Sequence, residues 1–372
     1  MNGRAGYARA AYRPRSPMDR PYIEELRIQN YGCIRDATFR FTPLHALIGP
    51  NDSGKSTALR ALRTMAFLLA RDGDKREKEA LQQAIMAQDV NKEPWFKASA
   101  SQAVWELRFH KDANWDQRMS ARSETSGPWP SASSTYYFEP SPWSGGGDVS
   151  QALRGAQLLR LEPDALRAPH ALIPDGQPLR FLDERGTGLP ALYDALIVRH
   201  LPAYMAVSQE LAKLFPSVQG IQLTTPSPGT RGMGVKLVNG EFVPSELMSE
   251  GLLYYLAFAV LSYLDPTPLL LIEEPENGLH PARIAEVMRV LRVTSEKTQV
   301  IVATHSPLVV NELQPDEVTV VTRSRETGTK ATVIKDTPSF EERSKVYALG
   351  ELWLSYANGE DEAPLLQGGP RP

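Results

Sequence analysis

Gly49-Pro50-Asn51-Asp52-Ser53-Gly54-Lys55-Ser56 places two glycines, a lysine and a hydroxyl at the spacing GxxxxGK[ST]. Glycines let successive backbone N–H groups curl around a β-phosphate, and the start of a following helix adds positive potential. Lys55 then reaches the β- and γ-phosphates, and the Ser56 hydroxyl is a ligand for Mg²⁺. Thr57 extends the cradle into the first helical turn. A fortuitous glycine-rich turn would not need the strand, lysine, hydroxyl and helix that coincide here.

A second segment supplies acids. The apolar run Leu269 to Ile272 ends abruptly in Glu273 and Glu274, at the strand end where open α/β sheets place their ligands. Magnesium takes oxygen ligands in near-octahedral geometry and keeps several waters, so a carboxylate from a neighbouring strand end is expected, and Glu273 is the candidate. Glu274 points differently and can orient and deprotonate a water attacking the γ-phosphate. The competing reading is a solvated strand end with a helix-capping acid; the phosphate loop favours catalysis. His305 follows the apolar strand Gln299 to Ala303 and is placed to hydrogen-bond the γ-phosphate, distinguishing ATP from ADP. His280 reads equally as a turn residue before Pro281. His45, His110, His170 and His200 lack ligand-like spacing and are expected to be structural, as is Cys33, which has no adjacent base.

Strands are expected at Tyr22 to Ile28, Ala37 to Phe41 and Leu44 to Ile48, with a helix from Lys55 to about Ala70 whose Ala58, Leu59, Leu62, Met65, Ala66 and Leu69 fall on one face. The signal then weakens through a charged run, Arg71 to Glu79, and Ser-, Pro- and Trp-rich stretches. Strands are expected at Ala103 to Phe109 and Thr135 to Phe138, and a helix from Leu189 to Leu214 broken near Pro202. Trp129, Tyr136, Tyr137 and Trp143 could stack bases, although aromatics packing loops are commoner. Val235 to Val238 and Glu241 to Val243 flank Asn239-Gly240, a hairpin signal because both turn residues tolerate positive φ. A helix over Leu252 to Leu264, another beginning at Pro281 and a strand over Asp316 to Thr322 follow. The alternation implies a mostly parallel sheet with helical cover. The expected division is a disordered basic arm 1–20, an N-terminal part 21–70 carrying the phosphate loop, an inserted or lateral α+β region 71–237, a C-terminal part 238–337 and a tail 338–372.

The chain has 372 residues, enough for a large core, and 41 Lys+Arg against 44 Asp+Glu leave a net charge of -3. That balance gives no global pull on nucleic acid, so any DNA contact must be a local patch. One cysteine excludes an internal disulfide framework or a cysteine-based zinc site within one chain. No run reaches the roughly 20 apolar residues that span a bilayer. The first twenty residues have arginines but no apolar core segment, so they are not a secretory signal; Met18 is an alternative start. A cytoplasmic protein without membrane partners is expected.

Leu247-Met248-Ser249-Glu250-Gly251 before an apolar helix, then Leu271-Ile272-Glu273-Glu274-Pro275-Glu276-Asn277-Gly278-Leu279-His280-Pro281, then Ala303-Thr304-His305-Ser306-Pro307, resemble the ABC-type P-loop ATPases of the RecF/SMC/OLD group, in particular the stand-alone bacterial RecF-like predicted ATPases. The resemblance covers about residues 21 to 325. It implies that Ser249, Glu250 and Gly251 form a signature motif contacting the γ-phosphate held by a second protomer, and that Asn277 to His280 form the D-loop across that interface. It also implies ATP and Mg²⁺ as ligands, a homodimer or higher homo-oligomer, and roles in DNA repair, DNA sensing or anti-phage defence. The alternative is an ATP-gated scaffold holding a separately encoded nuclease or toxin. The signature reads Ser-Glu-Gly rather than Ser-Gly-Gly-Gln, against a transporter, and Glu273 stands where aspartate is more usual. Gln82, Gln83 and Gln88 fall near the first helix but none follows a convincing strand, so the Q-loop is unassigned. About 65 residues follow His305, so the Toprim nuclease domain that some members append after the ATPase is not expected.

Overall fold

The structure is a computed structural model describing residues 22–69, 94–100, 103–111, 117–125, 134–137, 152–153, 155–338, 340–345 and 347–352. The basic arm 1–20, Gln82, Gln83, Gln88, Trp129, Trp143 and the side chains of His110, Tyr136 and Tyr137 lie outside what is described.

The first sheet is antiparallel. It is built from β1 (Glu25–Tyr31), β2 (Ile34–Arg40), β4 (Trp95–Ala100), β5 (Ala103–Lys111), β6 (Gln117–Thr125) and β7 (Ser134–Tyr137), in the order β2-β1-β4-β5-β6-β7. The first strand starts later than expected. Ile23 is buried, but its N–H and C=O both bond the side-chain amide of Gln299 instead of a strand partner. Asn30 near the end of β1 and Gly32 in the turn after it both have positive φ, which lets β2 begin at Ile34 rather than Ala37.

The second sheet is mixed. β3 (Leu44–Ile48), β8 (Gln157–Leu159), β13 (Leu269–Glu273), β14 (Gln299–Thr304), β15 (Val318–Ser324) and β16 (Gly328–Val333) run in the order β16-β15-β3-β14-β13-β8, all parallel except β16. Its inner strands are apolar on both faces, as parallel strands with covered faces require. Leu44, Ala46, Ile48, Leu270, Ile272, Val300 and Val302 belong to one hydrophobic cluster. Leu47, Leu269, Leu271, Ile301 and Ala303 belong to the other, the two-residue alternation of a strand.

Each face has its own cover. Helix α1 (Lys55–Leu69) places Ala58, Leu59, Leu62 and Met65 in the second cluster, together with core residues of β1, β2 and β4. On the opposite face lie α2 (Pro163–Arg167), α3 (Leu189–Arg199), α4 (Leu201–Leu214), α5 (Glu250–Ala259), α6 (Pro281–Thr294) and α7 (Pro307–Asn311), all contributing to the first cluster or packed on it. The break between α3 and α4 falls at His200, because Pro202 sits in the first turn of α4 and its missing N–H is tolerated there. Helix α5 ends at Ala259 and tightens to a 3-10 turn, Leu261–Tyr263, before Leu264.

A small antiparallel sheet of β9 (His170–Ala171), β10 (Val218–Thr224), β11 (Thr230–Leu237) and β12 (Phe242–Pro244) flanks the helices. The turn between β11 and β12 has Gly240 alone at positive φ, while Asn239 uses its side chain to accept from Glu241 N and to donate to Glu241. Of the described residues within 71–237, β4 to β7 extend the sheet begun by β1 and β2, and β8 forms an edge of the mixed sheet. The chain beyond 338 includes α8 (Phe340–Arg343), and Leu352 is buried in the first cluster. Among the described residues no helix is long and apolar enough to cross a membrane.

Candidate active site

The register sets the site. Glu273 lies opposite Ala303, and Ala303 opposite Leu47, so the ends of β13, β14 and β3 are level. At about 4.8 Å per strand, Glu273 stands roughly 10 Å across the sheet from the strand that feeds the phosphate loop. Three successive strand ends thus deliver Glu273 and Glu274, His305, and the loop from Gly49 to Ser56 to one edge.

The loop is held from outside by β15 and β16. A Cβ at Gly49 would collide with the Val321 carbonyl oxygen, so only glycine fits there. Thr329 Oγ1 donates to the Ser53 carbonyl at 3.0 Å, and Arg323 reaches the Asp52 carbonyl at 3.4 Å. Asp52 and Gly54 both adopt positive φ, which bends the loop toward the helix start. Thr57 turns away: its hydroxyl lies 3.4 Å from Cys33 Sγ, against the turn between β1 and β2. Its backbone remains in the first turn of α1.

Lys55 is only 5% exposed, and its ammonium donates to the carbonyls of Gly49 and Pro50 at 2.8 Å each. Burial pushes its pKa down to about 8, against the opposing pull of Glu274, Glu276, Asp52 and Glu273. Lys55 Nζ also approaches His305 Nδ1 at 3.5 Å. With Nδ1 accepting from the ammonium, a neutral imidazole carries its proton on Nε2, the nitrogen that lies 3.3 Å from Glu274 Oε1. Asn277 Nδ2 donates to the other Glu274 oxygen at 2.7 Å.

The two adjacent glutamates point differently because the strand ends between them. Glu274 adopts φ 48, a left-handed conformation that costs a residue with a side chain of order 1–3 kcal/mol and concentrates at functional sites. Its N–H still bonds the Ala303 carbonyl at 2.7 Å. Glu273 is 8% exposed at its side chain, with Arg160 Nε 3.9 Å from Oε2. Its Oε1 is buried and has no hydrogen-bond partner among the described residues. An orphaned carboxylate oxygen beside a phosphate loop fits a hard cation. No cluster of three or more His, Cys, Asp or Glu that could hold a metal by itself is found among the described residues.

Ser249 and Glu250 open α5, on the face of the sheet opposite α1. A Cβ on Gly251 would sit 2.8 Å from the Gly278 carbonyl oxygen, and Gly278, at φ 69, would press a Cβ onto Tyr254. The two glycines therefore lock the start of α5 to the Asn277–His280 turn. His280 caps α6, accepting from Ala282 N at 3.2 Å. His45 is buried between Thr42 and Thr319, and burial lowers its pKa to about 3, a structural histidine.

Glu276 is the residue that motif spacing does not single out. Its Oε1 accepts from Thr304 Oγ1, His305 N and Ser306 N. Only an acid between Glu274 and Asn277 hinted at it.

Two family models match the chain. A family model described as "AAA domain, putative AbiEii toxin, Type IV TA system" matches residues 134–311, and an "AAA ATPase domain" model matches residues 22–94. The second match contains the phosphate loop, and the first contains the signature, the acids and His305. No curated protein sequence matches the chain. Among solved structures, an SMC head bound to the C-winged helix domain of ScpA is 18% identical, with a TM-score of 0.50 over 84% of this chain and 98% of that one. An SMC head with an extended coiled coil, bound to the C-terminal domain of ScpA derived from Pyrococcus furiosus, is 16% identical, with a TM-score of 0.49 over 90% of this chain and all of that one. The SMC head domain from Thermotoga maritima is 15% identical, with a TM-score of 0.41. The two AAA matches enclose the phosphate loop, the acid pair and His305, and the fold is like that of an SMC head; together they support an ABC-type, RecF/SMC-like ATPase.

Proposed function

We propose that the protein binds ATP with Mg²⁺ and hydrolyses it at a site completed by a second copy of the chain. The observation that carries this reading is the convergence of Lys55, Glu274 and His305 at neighbouring strand ends. Lys55 exchanges its loop carbonyls for phosphate oxygens, and the loop N–H groups of Gly49 to Thr57 bind the β-phosphate. Ser56 and Glu273 would hold Mg²⁺, whose charge offsets that building on the phosphate oxygens. Glu274 takes a proton from water as its oxygen bonds to the γ-phosphorus and the bond to the ADP oxygen breaks, giving ADP and phosphate. His305 would turn its Nε2 proton from Glu274 to a γ-phosphate oxygen.

The position of the signature supports dimerisation. Ser249 to Gly251 begin a helix on the sheet face opposite α1, so a partner's signature is better placed to close over the nucleotide than the chain's own. Swinging a dimer from 1:99 to 99:1 needs about 5.5 kcal/mol of differential binding, which two buried γ-phosphates can supply. Turnover and sizing of Glu274→Gln test this: the variant should bind ATP, accumulate as dimer and lose turnover by about 10²–10⁴-fold, the usual share of a general base. Wild-type turnover in that variant would sink the mechanism.

The output of the cycle is read as either DNA repair, sensing or defence, or the gating of a separately encoded partner. The latter is favoured by the net charge of -3, which offers DNA no global attraction, and by the SMC head's complex with a domain of ScpA. Steep, salt-sensitive stimulation of turnover by DNA would favour the former.

A further inference from the structure

Glu276 takes no part in the chemistry above, yet one of its oxygens organises the residue that does. Oε1 accepts from Thr304 Oγ1 at 2.5 Å, His305 N at 3.0 Å and Ser306 N at 3.1 Å. Ser306 N also donates to Thr304 Oγ1 at 2.9 Å. The three donors come from three consecutive residues at the end of β14, with His305 in the middle. A carboxylate accepting several such bonds makes strong, short-range contacts, and these leave the His305 backbone little freedom. The opposite oxygen, Oε2, is buried without a partner among the described residues, so this acid is committed to the clamp rather than to a surface ion pair.

The same turn holds the other half of the pair. Asn277, next to Glu276, donates to Glu274, and Asn277 N bonds the Glu274 carbonyl at 3.0 Å. Two adjacent residues therefore fix both the base and the backbone that aims the imidazole. We propose that Glu276 is a positioning residue that sets His305 against Glu274 and the γ-phosphate, an inference that rests on the hydrolysis reading for its kinetic consequence. The acceptor oxygen, not the charge, is what the clamp uses, so glutamine should replace it and alanine should not.

The test compares Glu276→Ala, Glu276→Gln and Glu276→Ala in a His305→Ala background. Imidazole ¹⁵N–¹H resonances of the nucleotide-free protein, with His305 assigned from its loss in His305→Ala, should move in Glu276→Ala and stay in Glu276→Gln. Turnover should fall about ten- to a hundredfold in Glu276→Ala, the range for ångström-scale misplacement of a reacting group. ATP affinity should hold within about threefold, Glu276→Gln should remain near wild type, and Glu276→Ala should add no loss to His305→Ala. Unmoved resonances, an equally damaging glutamine or multiplicative losses would overturn the proposal. Should Glu276→Ala lose cooperative unfolding, Thr304→Val removes one donor while keeping side-chain shape. It should move the same resonances by less, and no movement again overturns the clamp. A wild-type protein without turnover would sink the hydrolysis reading alone, because the imidazole resonances decide the positioning role independently.

Discussion

His305 Nε2 lies 3.3 Å from Glu274 Oε1, while Nδ1 of the same ring lies 3.5 Å from Lys55 Nζ. One imidazole therefore bridges the cation of the phosphate loop and the carboxylate beyond β13, and Asn277 continues the row on the far side of Glu274. Residues from three strand ends share one polar chain, so a phosphate that draws Lys55 away also changes what His305 and Glu274 face.

Lys55 gives this a pH signature. Its pKa is pushed down to about 8 by burial, so above that value the nucleotide-free site loses its cation, and a bound phosphate must bring the proton back. ATP affinity should be flat below pH 8 and fall by up to about tenfold per pH unit above it. The sign for stability is the reverse. The unfolded chain keeps its proton to about pH 10.5 and the folded one only to about 8, so this group adds stability as pH rises between them. Fluorescent-nucleotide titrations from pH 7 to about 9.5 check the first claim, and a Lys55→Arg variant that binds should lose the slope.

Gly251 and Gly278 make a second prediction. A methyl group at 251 meets the Gly278 carbonyl at 2.8 Å, and backbone cannot move aside as a side chain can. Gly251→Ala should cost about 1–3 kcal/mol of stability by overpacking, shift the Asn277–His280 turn, and abolish ATP-dependent dimers while leaving nucleotide binding by the monomer intact. Sizing chromatography with nucleotide distinguishes this from simple unfolding.

Glu273 predicts the metal response. Removing the negative charge in Glu273→Gln should raise the Mg²⁺ concentration needed for half-maximal turnover by about tenfold or more, at roughly 1.4 kcal/mol per decade. Its orphaned Oε1 would then carry no charge to pair with the ion. An unchanged Mg²⁺ requirement would remove Glu273 from the metal site.

The strand ends of the candidate site are legible because they break a pattern. Leu269 to Ile272 and Gln299 to Ala303 are apolar runs, and Glu273 and His305 interrupt them where a covered sheet meets solvent. Leu44 to Ile48 coincides with β3 for the same reason. Elements with mixed faces were harder to read: β6 and β16 are rich in Ser, Thr, Arg and Lys, and neither carries an apolar run. They are held by pairing with the strand that precedes each of them in the chain, β6 with β5 and β16 with β15. Glu276 was hidden differently. Its importance lies in the end of β14, which approaches only after β13 and β14 align in parallel.

The central claim is that each ATP is hydrolysed between two chains, and mixing two inactive variants tests it most directly. Lys55→Ala lacks a working phosphate loop, and Ser249→Arg lacks a working signature, so each alone should be nearly inactive. Random pairing of equal amounts makes half the dimers mixed, each with one intact shared site in a two-fold assembly. The account predicts recovery of roughly a quarter of wild-type turnover on mixing. No recovery, with mixed dimers demonstrated by differential tags, or full activity of Ser249→Arg alone would contradict it.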